Sequence, residues 1–154
     1  MDATLITPVL TTIVNVPSTI AKVQASMGKP ELKQNEESLG EVTGLMSMNS
    51  SKVRASLAIS FGQQTIFDIV KRMLGEEITE LNDTAKDMTG EMTNMVVGGA
   101  KNLYLEQGYD FDMSTPNILV GEKHTIHHEV NGQTLVLPFT SDCGDFYVEI
   151  CFEE

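Results

Sequence analysis

The sequence predicts an α+β fold in which helices pack on an antiparallel sheet. Three observations predict it. Apolar residues recur at helical period in an N-terminal stretch and again in two central ones. Between and after them the period falls to two, as in half-buried strands. The order of the segments, a helix then strands, two helices then strands, reads as two weakly similar helix-then-strands halves in an α+β layer arrangement.

The first element is a helix. Leu5, Ile6, Val9, Leu10, Ile13, Ile20, Val23 and Met27 keep one stripe from Ala3 to Met27, closed by Gly28. Pro8 suits a first turn, whereas Pro17 falls inside the pattern and is expected to kink or split the helix. Residues 29–41 are polar, with a short edge strand expected at Glu31–Gln34. Val42–Met48 and Val53–Ser60 read as strands around the turn Asn49-Ser50-Ser51. In the second, Val53, Ala55, Leu57 and Ile59 alternate with Arg54, Ser56, Ala58 and Ser60.

Ile66, Ile69, Val70 and Met73 predict a helix over Gln63–Leu74, ended by Gly75. The longest helical pattern follows, from Asp83 to Gln107. Asn82 is its N-cap, Asp83 favours its dipole and Gly108 stands at the left-handed position beyond its end. Its apolar face runs through Met88, Met92, Met95, Val96, Gly99 and Leu103. Strands are then expected at Asn117–Val120, Thr134–Phe139 and Phe146–Phe152, with a turn at Ser141–Asp145. A shorter strand between Thr125 and Val130, followed by an Asn131-Gly132 hairpin turn, completes the prediction.

A chain of 154 residues suits one domain, read here as residues 1–154, without a linker. Its net charge of −12 repels phosphate backbones and anionic lipid, so neither nucleic acid nor membrane is an expected partner. No run is long enough to span a membrane, and no basic region precedes an apolar one at the N-terminus. Cys143 and Cys151 lack CxxC spacing. The expectation is a cytoplasmic protein with reduced thiols.

The chemistry concentrates on the long helix. Asp87, Glu91, Asn94 and Gly98 recur at spacings of four, three and four, a polar stripe beside the apolar one. A carboxylate and a carboxamide thus point the same way, one turn apart, offering an anion and a neutral donor-acceptor. Such a stripe is by default a solvated face. Gly90, Gly98 and Gly99 argue against the default, since each interior glycine costs the helix about 0.5–1 kcal/mol and wants a close approach to explain it. His124, His127 and His128 cluster with Glu122 and Glu129, but their spacing matches no zinc motif and neighbouring residues of a strand face opposite ways. No phosphate-cradling loop of the GxxxxGK[ST] type is present.

Asp87-x-x-x-Glu91-x-x-Asn94 with Pro116 downstream resembles the signature of the CheC/CheX/FliY phosphatases of bacterial chemotaxis. The surroundings fit as well: Gly90-Glu91, Asn94-Met95, Gly98, Ala100-Lys101 and Leu74-Gly75-Glu76-Glu77. The resemblance extends over nearly the whole chain, and the signature occurs once, as in the CheX branch of the family. Pro17 departs from the family's pattern and leaves the signature intact.

The resemblance implies a CheC-like fold of two pseudo-repeats and a protein phosphatase acting on the aspartyl phosphate of a CheY-type response regulator in two-component signalling. Glu91 and Asn94 would be the catalytic pair, Asp87 and Gly98 partner-binding residues, and Gly90 and Pro116 structural parts of the motif. The chain itself would carry no cofactor, the Mg²⁺ belonging to the phosphorylated regulator. A homodimer is implied too, with the C-terminal strands offering a sheet edge to cover. Two rivals stand beside this reading: a non-catalytic regulator-binding module on the same fold, like the flagellar switch proteins, and a metal-dependent hydrolase built on the histidine cluster.

Overall fold

The computed structural model describes residues 3–153. In chain order the elements are α1 (Ala3–Ala21), β1 (Ala25–Met27), β2 (Glu31–Leu32), β3 (Val42–Asn49), β4 (Arg54–Phe61), α2 (Gln63–Leu74), α3 (Asp83–Glu106), β5 (Asp112–Met113), β6 (Asn117–Val120), β7 (Thr134–Ser141) and β8 (Phe146–Glu153). The strands form one antiparallel sheet, ordered β1-β7-β8-β4-β3-β5, with β2 also on β7 and β6 also on β3. Each half supplies one hairpin, β3–β4 or β7–β8, and the two hairpins join through β4 and β8. The short strands cross over: β1 and β2 of the first half border β7 of the second, and β5 and β6 of the second border β3 of the first. The halves are interlocked and bury one common core.

That core lies between the sheet and the helices. Leu5, Val9 and Ile13 of α1 and Met88, Met92 and Val96 of α3 join Leu57, Ile59, Phe146, Val148 and Ile150 of the central strands in one cluster. Tyr104 is fully buried beside Phe111 and Phe152, and its hydroxyl donates to the carbonyl of Leu5. Burial raises its pKa above the ordinary phenol value. Leu103, expected in the core, is only half-buried; Tyr104, the next residue round the helix, takes the deep position.

Several expectations are corrected. The first helix ends at Ala21, because Lys22 turns left-handed (φ 54°) and Ala25–Met27 pairs with β7. Val23 and Met27 satisfy a helical period and a strand equally well, so the spacing misled. Pro17 does not split α1, which runs through both prolines. Burial of Val9 and Ile13 before Pro17 and of Ala21 after it supports the helix on either side of the lost hydrogen bond. The C-terminal hairpin is interior and presents no edge; the borders of the sheet are β1/β2 and β5/β6.

The stretch Thr125–Val130 is not a strand of the sheet. It lies over the face away from the helices, and among the described residues one isolated bridge, Glu37 to Thr125, is its backbone pairing. The period of two is real, however: Ile126 and Val130 are buried and His124 and His128 half-buried, while Thr125, His127 and Glu129 are exposed. Asn131-Gly132 is accordingly no hairpin. Gly132 lies so close to β8 that a Cβ there would come 2.3 Å from the Phe152 carbonyl oxygen.

Candidate active site

The helix α3 begins at the predicted cap: the Asn82 side-chain oxygen accepts from the Ala85 amide at 3.0 Å. It is continuous to Glu106, and Gly108 beyond it takes a left-handed φ of 88°. Its inward side is unusual in carrying two fully buried threonines. Thr89 donates to the Ala85 carbonyl at 2.8 Å and Thr93 to that of Thr89 at 2.7 Å, so neither hydroxyl is left unpaired. Thr93 rests on Gly44 of β3, where a Cβ would stand 2.0 Å from the threonine oxygen. Six residues on, Gly99 meets Thr12 of α1, where a Cβ would come 2.8 Å from its methyl. Of the three helix glycines only Gly99 has so tight a seat, since Gly98 meets nothing within 4 Å and Gly90 makes ordinary contact; the two seats, at Gly44 and Gly99, fix the height of α3 over the sheet.

The outward side carries the predicted stripe. Asp87, Glu91 and Asn94 are exposed on an unbroken helix, and none of the ion pairs among the described residues involves them. They line an open groove of about 620 Å³ whose opposite wall is the segment Met113–Pro116 with Ile118. Gly90 forms part of its floor; a Cβ there would lie 3.5 Å from Ile118 and 4.0 Å from Pro116. Gly98 is half-buried one turn beyond Asn94, does not line the groove, and has open space where a side chain would stand.

The second wall is built by the sheet. Asn117–Val120 pairs with Val42–Leu45, placing Ile118 opposite Gly44, the seat of Thr93. Upstream, the Ser114 amide donates to the Ser47 carbonyl and the Ser47 amide to the Ser114 hydroxyl, both at 2.9 Å. Pro116 is thus held between two anchored points, and having no N–H it leaves no ladder donor idle. Lys86, Met113, Ser114, Thr115 and Ile118 line the groove as well and were not legible as site residues. Lys86 had one signal: it precedes Gly90 and Asn94 by four and eight, on the same row of the helix.

The histidines do not converge. The ring of His124 lies 2.6 Å from the Thr43 hydroxyl and 2.9 Å from the Gly121 carbonyl. His128 spans Ser56 Oγ (2.6 Å) and Glu149 Oε1 (3.0 Å), and His127 pairs outside with Glu36 at 3.1 Å. Glu149, wholly buried, also takes Lys33 Nζ at 2.7 Å. These are ties between the covering segments and the sheet. Among the described residues no three His, Cys, Asp or Glu side chains gather as a metal site, and no helix is long and apolar enough to cross a membrane.

With this geometry in hand, likeness to other proteins becomes informative. A family model described as chemotaxis phosphatase CheX matches residues 42–140, which include α3, the groove wall and the β3–β4 hairpin. A CheC-like superfamily protein from Shewanella sp. PV-4 is 42% identical over 100% of both chains, with a TM-score of 0.93. The chemotaxis protein CheX from Vibrio vulnificus is 41% identical over 98% of this chain and 100% of its own, with a TM-score of 0.90. CheX of Borrelia burgdorferi, in a structure of its complex with CheY, BeF₃ and Mg²⁺, is 25% identical over 97% and 98% of the two chains, with a TM-score of 0.80. Among curated proteins none matches the chain. Fold, signature helix and sequence likeness therefore agree, and the chain belongs to the CheX family of chemotaxis phosphatases.

Proposed function

We propose that this chain hydrolyses the aspartyl phosphate of a CheY-type response regulator, with Asn94 positioning the attacking water and Glu91 docking the helix. The observation that carries this reading is the joint exposure of Glu91 and Asn94, one turn apart on a continuous helix over an open groove. The Borrelia burgdorferi CheX–CheY complex supports the choice of partner, and the Mg²⁺ in it supports a cation that arrives with the regulator.

An acyl phosphate already has a good leaving group. Its hydrolysis lacks a water held in line with phosphorus, and supplying that geometry needs no covalent step on the phosphatase. The carboxamide of Asn94 suits the task. Its carbonyl oxygen accepts a hydrogen bond from the water while the group stays neutral beside the phosphoryl oxygens, where a carboxylate would be repelled. The water oxygen bonds to phosphorus as the aspartyl oxygen leaves with its electron pair. Glu91, similar to the family glutamate that meets the regulator's active-site lysine, makes a charge-assisted contact that fixes the depth of insertion. Asp87 and Gly98 stand at the margins of the contact. Such a role places the chain in the cytoplasm.

The test is the decay of a purified, Mg²⁺-bound phosphorylated regulator. Asn94→Ala should lose about 10²-fold or more in turnover while still binding the partner. Full activity in a folded Asn94→Ala chain refutes the assignment.

A further inference from the structure

The groove contains a cation that the signature does not include. Lys86 lines it together with Asp87 and Glu91 and is its one basic side chain among the described residues. The chain around it carries 22 acidic residues against 10 basic ones. Lys86 is half-buried, and no ion pair among the described residues engages it. Asp87, its neighbour in sequence, stands on the next row of the helix and forms no ion pair with it. Lys86, Gly90 and Asn94 form one i, i+4, i+8 row. Because Gly90 has no side chain, nothing on that row stands between the ammonium and the amide.

The geometry points to Lys86 as a specificity-determining residue for the phosphorylated partner, pairing with a carboxylate at the rim of its phosphorylation site. This deepens the reading given under Proposed function and rests on it. A phosphoaspartyl site that holds Mg²⁺ must present carboxylates, because a hard cation takes oxygen ligands. A groove bearing Asp87 and Glu91 on a chain of net charge −12 would meet those carboxylates with like charge. Lys86 reverses that sign at one end of the helix, while Glu91 meets the partner's lysine further along. Opposite charges at two points on one rod set the direction in which the partner docks. Eight residues at 1.5 Å each put Lys86 about 12 Å along the axis from Asn94, outside the reacting centre. Lys86 therefore acts on encounter and register and leaves the hydrolytic step alone.

The experiment compares the full chain with Lys86→Met, Lys86→Glu and Lys86→Arg on a phosphorylated, Mg²⁺-bound regulator, at low and high salt. Lys86→Met keeps the apolar stem and should raise KM about fivefold at unchanged kcat, with a weaker dependence on salt. Lys86→Glu should raise KM further, and Lys86→Arg should restore it. If the parent chain accelerates dephosphorylation and Lys86→Met retains its KM and salt dependence, the role of Lys86 is overturned while the phosphatase reading stands. A fall in kcat alone also overturns it. If the parent chain shows no acceleration, the phosphatase reading fails and this inference with it.

Discussion

Gly44→Ala links packing to chemistry in one substitution. The added Cβ would stand 2.0 Å from Thr93 Oγ1, 2.9 Å from its Cβ and 3.2 Å from its Cγ2, where ordinary contact begins at 3.4 Å. Rotating Thr93 relieves the oxygen contact and breaks its 2.7 Å bond to the Thr89 carbonyl. The Cβ contact stays 0.5 Å too short (3.4 − 2.9) in any rotamer, so helix and strand must part by about that much. Overpacking of a buried site costs about 1–3 kcal/mol. Asn94 is the next residue after Thr93, so its amide moves with the helix by about 0.5 Å, half the 1 Å misplacement that can cost about 10²-fold in rate. A lower urea midpoint at unchanged m is expected, with turnover falling more than KM rises. Gly98→Ala is the control: nothing lies within 4 Å of its added Cβ, so it should stabilise the chain by about 0.5–1 kcal/mol. If Gly44→Ala unfolds at the parent's midpoint, the seat of Thr93 on Gly44 does not set the height of the helix.

Glu91→Ala should weaken docking, so that its defect partly recovers at high phosphatase concentration in the dephosphorylation assay, unlike that of Asn94→Ala. Lys33→Met removes one partner of the fully buried Glu149 and should destabilise by about 3 kcal/mol in urea titrations, with parent stability as the contrary result. Burial pushes the Cys143 thiol up to about 12 from 9.0, so it stays protonated in the folded chain where the unfolded chain ionises. Its contribution to stability is present below pH 9 and is lost between pH 9 and about 12, a slope that Cys143→Ala should reduce, and thiol reagents should label it at pH 8 only after unfolding. We propose a homodimer, with the outer edge of β6 as the exposed border to be covered, and a dimer is expected by light scattering at micromolar concentration; a fully active monomer refutes it.

The elements whose reasons are local were legible. The stripe Ile66, Ile69, Val70, Met73 closed by Gly75 specifies α2 at the observed bounds, and Asn82 starts α3 through its own side chain. Spacings of four and three place Asp87, Glu91 and Asn94 on one face of any helix, so one wall of the groove needed no tertiary information. The other wall did. Pro116 and Ile118 face the helix because β6 of the second half pairs with β3 of the first, and a two-residue strand such as β5 has no periodicity of its own to announce it. The same holds for Ala25–Met27, which is a strand only because β7 lies beside it. The alternation of Ile126, His128 and Val130 told which residues face inward, but not that they cover the sheet instead of joining it. Periodicity reports a side chain's direction, which the chain's own geometry determines. Which backbone lies alongside, how closely Gly44 lets Thr93 approach, and hence where Asn94 stands are decided by contacts between residues far apart in sequence, and those exist only once the two halves have interlocked.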